Sequence, residues 1–210
     1  MKIDSIVRKL QHQIFIRMIL VVGLIGAVGL GSNVGLINSA AAEPVYVVAL
    51  INFDCAHCKS FDSYHERIKE ATELTGGKYI VAPLPTDPIR SVVRELVYYA
   101  GRNQGVEVEI RKAFYSVQSD FQFDSVTDAV EWLKVHTKLD INFNLLKQEA
   151  HLRELAPMKK ALKLGTDAGV TRYPSFLHVS SAGVLLINDD GSVADRVHSL
   201  ERYIKKESEK

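Results

Sequence analysis

Cysteine is scarce in this chain: only Cys55 and Cys58 occur among its 210 residues. They share one short motif, Cys55-Ala56-His57-Cys58, and the absence of a third thiol leaves each cysteine as the other's redox partner. A structural disulfide across so short a loop would remove little unfolded-state entropy. A zinc site needs about four ligands, and His57 is the only other candidate nearby. The motif therefore indicates redox or catalytic use, with a structural disulfide and a metal site as alternatives.

A strong excess of charge of either sign is also absent. The formal net charge is +1, with 26 basic and 25 acidic side chains. Without residues 1–42 the chain keeps 22 basic and 24 acidic side chains. This balance argues against a nucleic-acid partner. Gly-rich phosphate loops, Ser/His/Asp arrangements, internal repeats and low-complexity tracts are likewise absent, and the 168 residues that follow position 42 suit one domain.

The N-terminal segment is typical of an export signal. Residues 18–37 carry no charge, and basic residues precede them: Lys2, Arg8, Lys9 and Arg17. Ala40-Ala41-Ala42 before Glu43 supplies an A-x-A cleavage site, so we expect a signal peptide over residues 1–42. The apolar stretch is also long enough to span a bilayer, which keeps an uncleaved anchor as the alternative. In either case the rest of the chain enters a compartment where disulfides persist, which we expect to be the periplasm.

The cysteine motif lies where a strand pattern gives way to a helix pattern. Residues 44–53 are almost continuously apolar, as in a central strand. A helix is predicted over residues 56–74, stopped by Gly76-Gly77, and a second strand over residues 78–84. This order places Cys55 at a helix N-terminus. The helix dipole and free N–H groups there favour an anion, so we expect the pKa of Cys55 to lie well below the ~8.5 of a free thiol.

The remainder of the chain predicts a block of helices and then a return to strands. Residues 86–168 are mostly helical in pattern, with Asp87 and Pro88 as the expected start of the first helix and a kink or break at Pro157. Two strands follow as a hairpin, at residues 175–180 and 184–187, before a helix over 194–206. The sequence thus predicts an α/β chain: a thioredoxin-like fold with an inserted all-helical subdomain. The core would comprise residues 43–85 and 169–210, and the insertion residues 86–168.

A proline stands directly before the hairpin, in Arg172-Tyr173-Pro174. Because proline cannot sit inside a central strand ladder, Pro174 marks a strand entry or a turn. In a thioredoxin-like core this position is a cis proline folded against the dithiol, and we expect a cis bond here, the alternative being an ordinary trans proline. The backbone just before such a proline can pair with an extended substrate as a short added strand.

Together these features resemble the DsbA family of periplasmic thiol–disulfide oxidoreductases. The resemblance covers about residues 44–206 and rests on residues 53–58, Phe61-Asp62, the helical insertion and residues 170–174. It implies that Cys55 is the nucleophile, Cys58 the resolving cysteine and Pro174 the cis proline. We expect His57 to stabilise the Cys55 thiolate, the alternative being an ordinary surface residue. The substrate-contacting positions are expected to be Tyr173, Arg172 and Ala56.

Three positions depart from the pattern of this family. Ala56 replaces the proline of the commonest motif, Cys-Pro-His-Cys. Ala49 stands where thioredoxin-like proteins often bury a carboxylate, and Tyr173 where Val or Thr is more frequent. Asp54 is acidic, but it directly precedes Cys55, where its charge would raise the pKa of that thiol slightly.

The resemblance implies a disulfide donor to reduced exported proteins, reoxidised by a quinone-linked membrane partner. We expect neither a cofactor nor a metal. We also expect a monomer and not a disulfide isomerase, because about a dozen residues between residue 42 and Cys55 leave no room for the dimerisation domain of an isomerase. A reductase of the same fold, a copper-handling protein and a non-catalytic adaptor remain as alternatives. The other histidines after residue 42 are expected at helix surfaces or core edges: His65, His136, His151, His178 and His198.

Overall fold

A computed structural model of the chain describes residues 45–85, 92–117, 121–138, 142–152, 156–187 and 191–209. The predicted signal segment, residues 1–42, and the predicted helix start at Asp87-Pro88 lie outside these residues. Within the described ranges, the helices are too short or too polar to cross a membrane.

The centre of the fold is a four-stranded sheet in the order β2-β1-β3-β4. Strand β1 spans Tyr46–Ile51 and pairs in parallel with β2, Lys78–Pro83, with Val48 opposite Ile80. On its other side β1 pairs with the antiparallel strand β3, Ser175–Ser180, and β3 pairs with β4, Gly183–Ile187. Five of the six β1 residues are buried, which explains their continuously apolar pattern.

The predicted helix after the cysteine motif consists of two α-helices joined by a short 3-10 turn. Helix α1 spans Ala56–Phe61, the 3-10 turn Asp62–Tyr64, and α2 His65–Leu74. The prediction of one unbroken helix was therefore wrong in detail, although its bounds are correct. The chain then turns at Gly76, whose φ of 76° lies in the left-handed region that a glycine tolerates without strain.

Five helices follow between β2 and β3 in the described chain: α3 Val93–Arg102, α4 Glu107–Ser116, α5 Val126–His136, α6 Phe143–Leu152 and α7 Ala156–Asp167. Ser125 caps α5 by accepting from the backbone N–H of Asp128 at 3.1 Å. Pro157 lies in the first turn of α7, where its missing N–H costs little. The predicted kink or break at Pro157 would fall on the residues just before α7, and residues 153–155 lie outside the described ranges.

The last helix, α8, spans Val193–Ser208 and begins with a capping box between Ser192 and Asp195. It lies beside α2, and the guanidinium of Arg67 on α2 donates to the Glu201 carboxylate on α8 at 2.7 Å. The order β-α-β, helical block, β-β-α is the one predicted from the sequence, and the α/β fold class is confirmed.

Candidate functional site

Cys55 lies where strand β1 ends and helix α1 begins. Its backbone is extended (φ −89°, ψ 113°), and it forms the N-cap of α1, with its carbonyl accepting from the Lys59 N–H at 3.0 Å. The side chain completes the cap: Cys55 Sγ accepts from the Cys58 backbone N–H at 3.2 Å. A sulfur in this position receives hydrogen bonds from helix N–H groups that have no partner within the helix. The predicted placement of Cys55 at a helix N-terminus is confirmed.

The two thiols have different surroundings. Both are free cysteines; Cys55 is half-buried and Cys58 is fully buried. Cys55 therefore lies within reach of a reagent from solvent, whereas Cys58 lies behind it, on the inner face of α1. Such an arrangement presents one sulfur for attack and shields the other.

Hydrogen bonds lower the pKa of the Cys55 thiol well below that of a free thiol, to about 6. The largest cause is the hydrogen bond from the Cys58 side chain, opposed by partial burial. The backbone N–H groups of Cys58 and His57 lower the pKa further, and the His57 charge adds the smallest contribution. Burial raises the pKa of Cys58 far above its ordinary value, and the hydrogen bond to Cys55 raises it further. At neutral pH the reduced pair is thus a Cys55 thiolate beside a Cys58 thiol.

His57 and Ala56 form the exposed outer turn of α1. His57 acts on Cys55 mainly through its backbone N–H, which contributes more than its ring charge. The sequence pattern predicts a thiolate stabilised chiefly by the helix dipole and the imidazole. The largest cause is instead the Cys58 side chain, which no sequence signal indicates because its contribution depends on how the two sulfurs are placed.

Pro174 follows a cis peptide bond, as predicted. The Cys55 thiol donates a hydrogen bond to the Tyr173 carbonyl oxygen, with 3.5 Å between sulfur and oxygen. Pro174 is buried, Tyr173 is half-buried and Arg172 is exposed at the rim. The fold therefore brings Tyr173 and Pro174 against the dithiol and leaves Arg172 and the Ala56-His57 turn facing solvent around it.

Several residues that the sequence did not single out support the site. Arg196 on α8 donates from its guanidinium to the Pro174 carbonyl oxygen and lowers the pKa of Cys58, though less than burial raises it. The Asn52 amide donates to the Leu84 carbonyl oxygen at 2.7 Å, and its Oδ1 accepts from the Asp54 N–H at 2.7 Å. No local motif marks these residues, because each acts through a partner that is distant in sequence or through a loop conformation.

A polar pair and an aromatic cluster lie between α1 and the helical insertion. The Asp62 carboxylate accepts from Arg111 Nε at 2.6 Å, and the Arg111 side chain is only 2% exposed. Phe53, two residues before Cys55, makes edge contacts with the rings of Tyr98, Phe114 and Tyr115 at 5.4–6.1 Å. Ala49, the position where thioredoxin-like proteins often bury a carboxylate, contributes only a fully buried methyl group.

His65 lies in the core, which corrects the expectation of a surface or edge position. It is 1% exposed, its Nδ1 lies 2.6 Å from the Tyr79 hydroxyl, and its ring packs against Phe61. Burial, together with the positive charge of Arg111, lowers the pKa of His65 from 6.5 to about 3, so the ring is neutral.

In the described part of the chain, His, Cys, Asp and Glu side chains form no group of three or more that could hold a metal ion.

Comparison with known proteins gives matches at the level of structure. No protein-family model and no curated protein sequence matches the chain. The oxidoreductase DsbA from Xylella fastidiosa superposes with a TM-score of 0.61 at 14% identity, over 80% of this chain and 88% of the other. BdbD from Bacillus subtilis gives 0.57 at 19%, over 80% and 89%. The disulfide oxidoreductase DsbA from Proteus mirabilis gives 0.56 at 14%, over 78% and 88%.

At these identities the matches establish a shared fold. The chain therefore has the thioredoxin-like fold with a helical insertion that the sequence predicted, and it is similar in structure to DsbA-type proteins.

Proposed function

We propose that this protein is an exported, periplasmic thiol–disulfide oxidoreductase that donates its Cys55–Cys58 disulfide to reduced exported proteins. The observation that carries the proposal is the asymmetry of the two sulfurs. Cys55 is accessible and acidic at the N-terminus of α1, and Cys58 is buried and keeps its proton. Similarity in fold to DsbA-type oxidoreductases supports the same reaction class.

The first step is attack of a substrate thiolate on Cys55 Sγ of the oxidised protein. The Cys55–Cys58 bond breaks, a bond between the substrate sulfur and Cys55 forms, and Cys58 leaves with the electron pair. Because the pKa of Cys58 is raised by burial, the leaving sulfur takes up a proton and becomes a thiol. A protonated Cys58 attacks the mixed disulfide slowly, which disfavours return to the starting state.

The second step releases the substrate. A second substrate thiolate attacks the substrate sulfur of the mixed disulfide, and Cys55 leaves as a thiolate. Helix N–H groups and the Cys58 thiol stabilise that anion, so Cys55 is a good leaving group. The substrate has lost two electrons, and the protein holds them as a thiolate–thiol pair. A membrane redox partner accepts these electrons and restores the disulfide.

Substrate is proposed to bind across the loop before β3. The Tyr173 carbonyl lies directly at Cys55, so an extended segment aligned with this backbone would bring its cysteine to the exposed sulfur. Ala56 and Arg172 are the proposed contacts on either side, and the half-buried Tyr173 ring is the proposed determinant of fit.

The equilibrium reduction potential of the Cys55–Cys58 pair tests the direction of transfer. We expect a value of about −120 mV against a glutathione buffer, as in DsbA. A value of about −270 mV would instead assign the protein to the thioredoxin-like reductases. Full biological activity of Cys55→Ser would contradict any redox function and favour an adaptor that binds exported partners. Stoichiometric copper binding lost in Cys55→Ser would favour metal handling.

A further inference from the structure

The residue before the nucleophile is a carboxylate. Asp54 directly precedes Cys55, and a negative charge at that distance disfavours a thiolate. Cys55 nevertheless has a pKa of about 6. The Asp54 carboxylate has a basic partner on the helical insertion.

Arg94, on helix α3 of the insertion, reaches the Asp54 carboxylate. Its Nη2 forms an ion pair with Asp54 Oδ1 across 40 positions of sequence. The Arg94 side chain is only 8% exposed, and its guanidinium lies 5.8 Å from the centre of the Phe53 ring. A buried cation in contact with a carboxylate offsets the field of that carboxylate far more than solvent ions do.

The ion pair also anchors the loop between β1 and α1. At one end of this loop, the Asn52 side-chain amide donates a hydrogen bond to the carbonyl oxygen of Leu84, just after β2. The Asn52 side-chain oxygen also accepts a hydrogen bond from the Asp54 N–H. Arg94 fixes the Asp54 side chain to the insertion. The two anchors together hold the backbone that presents Cys55 as the N-cap of α1.

We propose that Arg94 is a positioning residue for the nucleophile: its positive charge offsets the negative charge of Asp54, and the ion pair holds the loop that presents Cys55 at the N-terminus of α1. Its importance for disulfide transfer rests on the proposed function, whereas its effect on the thiolate does not. The helical insertion thereby tunes the sulfur on the thioredoxin-like core, which gives this part of the fold a role in reactivity.

Other charged or titratable groups also face the dithiol. They come from α1, the loop before β3, α8 and α4, and are His57, Cys58, Tyr173, Arg196 and Tyr115. Glu95 on α3 interacts instead with Arg94 and Asp54, and burial raises its pKa to about 7. Below about pH 8 the change in absorbance at the thiolate band records sulfur ionisation, because carboxylates do not absorb there and tyrosine hydroxyls keep their protons.

The test is a pH titration of the thiolate absorbance in the reduced full chain. In Arg94→Gln the Asp54 carboxylate loses the charge of Arg94, and we expect the midpoint of Cys55 ionisation to rise by about half a pH unit or more. Arg94→Lys retains the charge and should restore most of the shift. Arg102→Gln is the matched control: Arg102 lies on the same helix, but its guanidinium donates to the Val81 carbonyl oxygen at 2.7 Å.

Asp54→Asn supplies an independent test that leaves buried Arg94 in place. It removes the carboxylate beside Cys55, so the midpoint should fall, and the double variant Asp54→Asn/Arg94→Gln should return close to the original value. An unchanged midpoint in both single variants, or equal shifts in Arg94→Gln and Arg102→Gln, would overturn the proposal. If Arg94→Gln does not fold, Arg94→Lys and Asp54→Asn still decide the question.

This result is separable from the proposed function. A reduction potential near that of a reductase would contradict disulfide donation without moving the midpoints of these variants. Unchanged midpoints in a protein that does donate disulfides would remove only the role of Arg94.

Discussion

The carbonyl oxygen of Tyr173 accepts a hydrogen bond from the Cys55 thiol at 3.5 Å, although 118 positions separate the two residues. The contact places the cis-proline loop over the accessible sulfur. It also gives the protonated form of Cys55 a partner that is lost once the thiol ionises, because a carbonyl oxygen cannot donate to a thiolate. The low pKa of Cys55 therefore depends on donors from α1, and those donors can be removed one at a time.

Replacement of Cys58 should raise the pKa of Cys55. The Cys58 side chain makes the largest contribution to lowering that pKa, so Cys58→Ala should raise it by about one pH unit. Cys58→Ser keeps a donor at this position and should raise it less. The measurement is the pH dependence of alkylation of Cys55 by iodoacetamide. Equal midpoints for Cys58→Ala and the unaltered protein would show that the backbone N–H groups alone set the value.

The reduction potential should depend on pH with a change of slope near 6. Below that pH, reduction of the disulfide takes up two protons, and the potential should fall by about 59 mV per pH unit. Above it Cys55 remains a thiolate, only Cys58 is protonated, and the slope should be about 30 mV per pH unit. As pH falls, the potential should therefore rise by about 30 mV per pH unit down to pH 6 and by about 59 mV per pH unit below it. A constant steep slope up to pH 8 would contradict the ionisation of Cys55.

The Asp62–Arg111 pair should be important for stability. Asp62→Asn leaves the buried Arg111 charge without its partner, and we expect the free energy of unfolding to fall by about 3 kcal/mol. Asp62→Asn/Arg111→Met should recover most of this loss, because the double variant buries no charge. Asp167→Asn is the control: it breaks an ion pair with Lys163 whose side chains are both more than half exposed, and should cost about 0.5 kcal/mol or less. Denaturant unfolding at pH 7 measures all four proteins.

Buried His65 should make the fold sensitive to acid. Its pKa is near 3 in the folded state and 6.5 when unfolded, so only the unfolded chain binds the proton between these values. The stability contribution of neutral His65 is present above about pH 6.5 and is lost as pH falls toward 3.

Chemical denaturation between pH 7 and 4 tests this effect. His65→Phe should be less stable at pH 7, because it loses the contact with the Tyr79 hydroxyl, but its stability should fall by about 2 kcal/mol less over that range. The exposed residue His198 provides the control as His198→Gln, which should follow the unaltered protein. Parallel curves for His65→Phe and the unaltered protein would assign the acid sensitivity to other groups.

The order of strands and helices was predictable because each element carries its own periodic pattern. The continuously apolar β1, the capped start of α5 at Ser125 and the hairpin of β3 and β4 are local features. The break within residues 56–74 was not predictable, because Phe61, Tyr64 and Ile68 keep a helical spacing across the 3-10 turn.

Spacing and residue type are enough to place two thiols at a strand-to-helix junction and a proline before the later hairpin. The distant groups that act on this region are visible only in the folded chain: Tyr173 on Cys55, Arg94 on Asp54, and Arg111 on Asp62. These pairs join positions 40 to 118 residues apart. The burial of His65 also results from tertiary packing. The packing of the insertion against α1, α2 and β2 determines which polar side chains contact one another and which are removed from solvent. That packing depends on contacts distant in sequence, which leave no periodic signal in the residues that make them.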